Sequence, residues 1–423
     1  VDFDPEGRIF LGELSLNGEL QPIKGALPLT EQAKKMGYRE IFLPEQNAKE
    51  AALVEGITVY GAKNLREVID HISKVKTDKK GNPVEKEKPK LSPQPQTQIE
   101  HREKSHDIDF SDIRGQEGAK RGLEIAAAGG HNIAMSGPPG TGKTMLARVF
   151  SHILPDLATD DCLEITGIHS VVGALDGELV SEPPFRAPHH TASYVSMIGG
   201  GANPKPGEVT LAHKGVLFLD EFPEFEKRVL ESLRQPLEDN IVSISRARGS
   251  AIFPSNFILV AAMNPCPCGN KGSKQKECIC KPTDLDRYKR KLSGPIMDRI
   301  DIWVTVGAVD YDKLSSTEQT GEKTAAIKDR VKSARAIQNK RFKNSARKIS
   351  TNSEMNVKDL AIYAELSPET KKLLNDSAER LQLSARAYHR TIKLARTIAD
   401  LDGSESITSP HILEALQYRP RTN

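Results

Sequence analysis

The octapeptide GPPGTGKT, Gly137–Thr144, fits the phosphate-binding pattern G-x-x-x-x-G-K-[ST] and lies between an apolar run, NIAMS, and a periodic stretch, MLARVFSHIL. That is a strand, a loop and a helix in the order phosphate binding needs, which sets it apart from a chance glycine-rich turn. Across Gly137, Pro138, Pro139, Gly140, Thr141 and Gly142 backbone N–H groups can turn inward around phosphates. Lys143 adds a point charge for the β- and γ-phosphates, and the Thr144 hydroxyl can ligate Mg²⁺. Further on, GVLFLDEF carries four buried-type residues, Val216–Leu219, and then Asp220 and Glu221. Acidic residues at the carboxyl end of a strand face the crevice where α/β sheets bind ligands. Asp220 can hold Mg²⁺ through water, and Glu221 can polarise an attacking water. Alone, such a run is ambiguous with a helix N-terminus; beside a P-loop it completes an ATP site. A third buried run, FILVAAMN, ends on Asn264, which can orient the same water.

Four of the five cysteines follow at once. Cys266, Cys268, Cys278 and Cys280 form C-x-C-x9-C-x-C, with Gly269 and Gly272 turning the loop between the pairs. Four thiolates this close suit a tetrahedral Zn²⁺. The spacing is tighter than the usual C-x2-C pairs, so free thiols packing a loop, or a redox role, remain alternative readings. Two arginines also stand where they could touch a nucleotide: Arg299 in LSGPIMDRID, before the strand IDIWVTV, and Arg386 at the start of a helix in LSARAYHR. Each reads either as a surface charge or as a group stabilising the transition state, Arg299 from across a subunit interface.

These groups need a scaffold, and the hydrophobic pattern supplies one. Strand and helix alternate from about residue 108 to 312, which predicts a parallel sheet covered by helices. Residues 313–423 read almost wholly as helix, a lid. Residues 75–107 are rich in Lys, Glu and Pro and poor in large apolar residues, the composition of a disordered, solvated linker. Residues 1–74 mix strands (RIFLGELSL, EIFLP) and helices (LTEQAKKMG, closed by Gly37, and NLREVIDHI) in an α+β pattern. The 423 residues are 28% charged and 37% hydrophobic, with a net charge of +3. So small a net charge means that any nucleic-acid contact must come from a local basic patch. No apolar run approaches the roughly 18–20 residues that span a membrane. The N-terminal VDFDPEGRIF has no signal-peptide layout, and the cysteines have no disulfide-framework spacing. The expectation is a cytoplasmic protein without membrane attachment.

The ordered set GPPGTGKT, PFRAPHHTASYVSMIGGGANPKPGEVTLAHKGVLFLDEFPEF, AAMNPCPCG, LSGPIMDRID and LSARAYHRTIKLARTIADL resembles the AAA+ ATPases, specifically the magnesium-chelatase-like branch known as the ComM/YifB family. The resemblance runs over about residues 1–420, and its middle block is highly specific. It implies Lys143 as the Walker A lysine, Asp220 and Glu221 as the Walker B pair, Asn264 as sensor 1, Arg299 as an arginine finger and Arg386 as the sensor 2 arginine. It further implies ATP and Mg²⁺ as cofactors, a homo-oligomeric ring, hexameric by analogy, and branch migration or helicase action on single-stranded or branched DNA in recombination or natural transformation. A chaperone for metal insertion, like the magnesium-chelatase ATPase subunit, is the alternative. The first 72 residues look like the second half of the Lon-protease-like (ribosomal S5-like) domain that opens this family, so the resemblance also implies a chain lacking the usual first half. Where Lon proteases place a catalytic lysine, PIKGALPLTEQ has Pro28 or a neighbour and no serine partner, so proteolysis is not implied.

Two insertions could meet DNA. VSISRARGSAIFPS reads as a hairpin, with a strand Ile241–Ser245 and a tip Arg246–Gly249. In helicases of related architecture such a hairpin points into the ring channel, where Arg246 and Arg248 could meet phosphates; otherwise it is an exposed turn. FRAPHHTASYVSMIGGGANPKPGEV carries Arg186, His189, His190 and Lys205, with a tip expected to flex at Gly199–Gly201. Adjacent histidines seldom converge on one metal ion, so interface or pore contacts are expected of this pair.

Overall fold

The computed structural model describes residues 3–73, 90–99, 107–175, 179–201, 203–246, 249–272, 276–307 and 321–420, with Arg246 described by its backbone. Two compact units emerge, 1–102 with 157–182, and 103–156 with 183–423.

In the first unit, β1 (Arg8–Phe10), β4 (Glu40–Pro44) and β5 (Thr58–Ala62) form a parallel sheet in the order β1-β4-β5, while β2 (Glu13–Leu14) and β3 (Leu20–Gln21) form a small hairpin. Ile41, Leu43 and Val59 bury their side chains beneath Ala33 and Ala48 of the helices Ala26–Lys35 and Glu45–Ala51. The helix Leu65–Ile72 is capped by Asn64, whose Oδ1 accepts from Glu67 N at 3.0 Å.

Two features of this unit differ from the sequence reading. Residues 90–99, expected within the solvated linker, run along the domain in a fixed extended path. Leu91 N donates to His71 Nδ1 at 2.9 Å, Gln94 N to Val59 O at 2.8 Å and Thr97 N to Ala52 O at 3.1 Å. The Lys/Glu/Pro composition conceals this because these contacts are made by backbone N–H groups, which every non-proline residue carries. The rest of the predicted linker, 75–89 and 100–106, lies outside the described residues. The helix Thr159–Val172, inside the stretch expected as ATPase core, groups with this unit. Its Cys162 and Ile165 pack with Ile99, and its Ser170 Oγ accepts from Gly25 N at 2.9 Å.

The second unit is the α/β core that the alternating pattern predicts. A five-stranded parallel sheet has the order β14-β6-β13-β10-β7, with β6 Ile133–Ser136, β7 Phe185–Arg186, β10 Val216–Leu219, β13 Ile258–Met263 and β14 Ile302–Thr305. Its central strands are continuous apolar runs because both faces are covered: every residue of β10 and β13 is buried. Two antiparallel hairpins stand apart from the sheet, β8 (Gly199–Gly200) with β9 (Lys205–Pro206), and β11 (Ile241–Arg246) with β12 (Gly249–Pro254).

The C-terminal helices Thr324–Phe342, Val357–Tyr363, Pro368–Arg380, Ala385–Leu401 and Ser409–Gln417 complete the unit. A buried carboxylate ties two of them together. Asp400 accepts from Arg341 Nη1 at 2.8 Å, Arg396 Nε at 3.1 Å and Asn352 Nδ2 at 2.8 Å. A charge this deep is tolerable only when fully partnered, so the network fixes the packing of the helices that contribute to it. No helix among the described residues is long and apolar enough to cross a membrane.

Candidate active site

Strand register builds the site. β6 pairs with β13 so that Ser136 lies beside Met263, and Gly137 N donates to Met263 O at 3.1 Å. The P-loop therefore leaves β6 level with Asn264, the residue that follows β13. The helix Lys143–His152 then starts from Gly142, whose left-handed φ of 86° turns the loop into the first helical turn. Lys143 is buried; its Nζ donates to Gly137 O at 2.7 Å and Pro138 O at 2.8 Å, and lies 3.4 Å from Asn264 Oδ1. Burial pushes the pKa of this ammonium below its ordinary value, with Asp220 opposing the shift.

Thr144 Oγ1 donates to Asp220 Oδ2 at 2.8 Å, so two hard oxygens converge at the carboxyl end of β10. That donor chemistry fits Mg²⁺, which prefers a few protein oxygens completed by water and phosphate. Glu221 is held at φ 50°, a left-handed conformation uncommon for a non-glycine residue, and its backbone N–H bonds to Asp220 Oδ1 at 2.9 Å. The cleft of about 690 Å³ is lined by Pro139–Met145, Asp220, Glu221 and Asn264, with Ala187–His190 closing one side.

Sequence reasoning missed one member of this cleft. His190 Nδ1 lies 2.8 Å from Glu221 Oε2, and His189 stacks behind it with ring centroids 4.1 Å apart. The histidine pair, expected at an interface or pore, thus faces the acidic residue read as activating water. The signal lies in the pairing of β7 with β10: Val216 sits beside Phe185 and Leu217 beside Arg186, and the same register continued along both chains brings His190 level with Glu221. A two-residue strand gives no periodicity from which to find that pairing.

Arg299 and Arg386 do not line this cleft. The buried Arg299 pairs with Glu238 and donates from Nη1 to Pro295 O at 2.7 Å, and Arg386 Nη2 stands 3.9 Å from the same Glu238. Arg386 lines a separate cleft of mixed charge with Arg347, Lys348, Arg390 and Lys393 against Asp301 and Glu354, and Glu238, also in its lining, pairs with Arg299. Arg386 sits in the first turn of the helix that Ser384 caps, as its sequence context suggests.

The two insertions meet one another. Gly199, at φ 101°, approaches β11 so closely that a Cβ there would lie 3.0 Å from Ile244 Cδ1 and 2.3 Å from Lys205 O. Gly199 and Gly200 are buried and paired in β8, so two residues of the run expected to be a flexible tip are packed in a hairpin, and Gly201 is the exposed one. Lys205 is exposed on β9, and β11 ends on Arg246, whose register partner is Gly249. Arg248 lies outside the described residues.

The four cysteine sulfurs also converge, all within 4.8 Å of one another.

Comparison with known proteins agrees with this geometry. Residues 109–314 match the family described as magnesium chelatase, subunit ChlI; residues 321–419 match its C-terminal domain, and residues 2–47 match subunit ChlI of Mg-chelatase. The competence protein ComM of Haemophilus influenzae is 40% identical over 411 residues, 97% of this chain and 77% of that protein. YifB of Escherichia coli is 41% identical over 411 residues, 97% of this chain and 76% of that protein. The chain belongs to the ComM/YifB family of magnesium-chelatase-like AAA+ ATPases. ATP and Mg²⁺ are the cofactors this family implies, and the Lys143, Thr144 and Asp220 cluster offers the groups to hold them. Lon protease 2 of Bacillus subtilis is 29% identical over 153 residues, 34% of this chain and 28% of that protein.

Proposed function

We propose that this ComM/YifB-family ATPase is a ring-forming cytoplasmic motor, hexameric by family analogy, that uses ATP hydrolysis to move on single-stranded or branched DNA during recombination or uptake of foreign DNA. The observation that carries the reading is the contact of Gly199 with Ile244, which brings the hairpin bearing exposed Lys205 against β11, the strand that leads to Arg246. The 40% identity to a competence protein supports it. Repeated around a ring, such loops would give a band of phosphate contacts despite a net charge of +3 per chain.

Within one subunit, Lys143 neutralises the β- and γ-phosphates, Thr144 and Asp220 hold the metal, and Glu221 orients and polarises the attacking water with Asn264 beside it. Bound Mg²⁺ supplies neutralisation of phosphate charge. His190 fixes the Glu221 carboxylate from the opposite wall. Arg299 and Arg386, grouped on Glu238 away from their own P-loop, serve the site of a neighbouring subunit, so turnover requires assembly.

Hydrolysis by the full chain should rise when single-stranded or branched DNA is added at low salt. The double Arg246→Ala/Arg248→Ala change should remove the DNA-dependent part of that turnover. The second reading, an ATPase chaperone for metal insertion or protein remodelling, is favoured by the match to magnesium chelatase and calls for no DNA response in either form.

A further inference from the structure

Hydrolysis makes no use of the cysteine loop, although it is built against the nucleotide cleft. The Sγ atoms of Cys266, Cys268 and Cys278 lie 3.4, 3.7 and 3.6 Å apart in the pairs 266–268, 266–278 and 268–278, with Cys280 Sγ in the same cluster. A tetrahedral tetrathiolate with Zn–S bonds of about 2.3 Å spaces its sulfurs about 3.8 Å apart. A disulfide would need about 2.05 Å. Two backbone N–H groups point at sulfurs, Cys268 N at 3.4 Å from Cys280 Sγ and Lys271 N at 3.3 Å from Cys266 Sγ. Such donors stabilise thiolates that carry negative charge on a metal. A divalent, thiophilic ion fits this donor set; a hard cation does not.

The loop also packs behind a wall of the ATP site, at Pro139. Asn264 shortly precedes it. Gly269, at φ 79°, lies against the P-loop so closely that a Cβ there would sit 2.6 Å from Pro139 Cδ. The helix Pro282–Lys291 follows Cys280, and its Tyr288 hydroxyl donates to Asn264 O at 3.0 Å. The chain thus leaves Asn264, passes Pro139, turns through four sulfurs and returns to Asn264. Within that circuit, the sulfur cluster is what closes the loop on itself.

We propose that Cys266, Cys268, Cys278 and Cys280 hold one Zn²⁺, and that this centre fixes the P-loop wall at Pro139 and the position of Asn264. Removing the metal frees Gly269 to move off Pro139, and nucleotide binding weakens several-fold without being abolished, because Lys143 and the rest of the P-loop are untouched. The wall role rests on the nucleotide site assigned above; the metal site does not.

The test uses the full chain purified under reducing conditions. Elemental analysis should find about one zinc per chain, and Co²⁺ exchanged into the site should show the ligand-field and charge-transfer bands of tetrahedral thiolate coordination. Titration with a fluorescent, slowly hydrolysed ATP analogue should show weaker binding for chelator-stripped protein and for Cys278→Ser/Cys280→Ser, with affinity restored to the stripped wild type by Zn²⁺. Absence of both zinc and the Co²⁺ thiolate bands would overturn the metal site. Zinc that can be removed and replaced with no change in nucleotide affinity would overturn the wall role. Zinc in a chain that binds no nucleotide in any form would support the metal site while defeating the P-loop assignment.

Discussion

Lys143 and Glu221 share one cleft but have different steps in the proposed mechanism, and substitutions separate them. Lys143→Ala removes the charge facing the β- and γ-phosphates, so ATP binding should be lost or greatly weakened in a direct titration. Glu221→Gln keeps the size and polarity of the side chain but not its ability to take a proton. Binding should persist while turnover falls about a hundredfold or more. Full turnover by the Glu221→Gln protein would remove Glu221 from the role given to it. His190 belongs to the same step. Its 2.8 Å contact with Glu221 fixes the carboxylate, so His190→Ala should lower kcat about tenfold, roughly 1.4 kcal/mol, with ATP affinity little changed. A fall in affinity with kcat intact would instead make His190 a wall of the nucleotide pocket.

At the scale of elements, the strand that follows Arg299 is anchored by an ion pair whose carboxylate is buried. Asp301 accepts from Arg390 Nη1 at 2.8 Å and lies 3.5 Å from His131 Nδ1, while Asn132 Nδ2 donates to Arg299 O at 3.0 Å. Burial alone would raise the Asp301 pKa, but the Arg390 charge and the His131 contact hold it well below the usual carboxylate range. A carboxylate whose folded pKa is depressed stabilises the fold above its unfolded value of about 3.9, and that contribution is lost as pH falls through the folded value. Asp301→Ala leaves the half-buried Arg390 and the buried His131 without this carboxylate. The ATPase unit should lose about 1–3 kcal/mol in denaturant titration, and the difference from wild type should shrink in strong acid. Equal midpoints at neutral pH would show that the pair is not holding β14 in place.

The elements legible in the sequence are those whose burial is written along the chain. β6, β10 and β13 are apolar runs, and the P-loop and acidic pair have spacings that phosphate and metal chemistry impose. The β11–β12 hairpin is legible from its alternation and its turn. What escapes is set by distant pairing. β7 is two residues long and exists through its neighbour β10, so the approach of His190 to Glu221 cannot be read locally. Likewise, the backbone bonds that fix residues 90–99 leave no mark on a Lys- and Pro-rich composition, and the helix Thr159–Val172 gives no hint that it belongs to the N-terminal unit. Gly199 departs from expectation because glycine signals close approach as readily as freedom, and here Lys205 O and Ile244 fill the space a side chain would need.

For the whole molecule, the nucleotide groups and the arginines that could complete them lie on different parts of one subunit. Arg299→Ala should therefore leave ATP binding nearly intact and lower turnover, and the deficit should be partly relieved in mixed rings with Glu221→Gln subunits, where each type supplies what the other lacks. No relief at any mixing ratio would place Arg299 in a structural role with Glu238. The proposed DNA contacts also belong to the proposed assembly. Replacing Arg246, Arg248 or Lys205 singly by Ala should flatten the salt dependence of DNA binding by about one unit of slope for each phosphate no longer neutralised, similarly for every sequence. The central claim is that hydrolysis drives movement on DNA, and it is tested most directly by the dissociation of a labelled branched DNA by the full chain with ATP and Mg²⁺ at low salt. Wild type is expected to resolve the branch in an ATP-dependent reaction and the Glu221→Gln protein to bind without resolving it; a wild-type protein that hydrolyses ATP yet leaves the branch intact, with its hydrolysis indifferent to DNA, would contradict the motor and favour the chaperone.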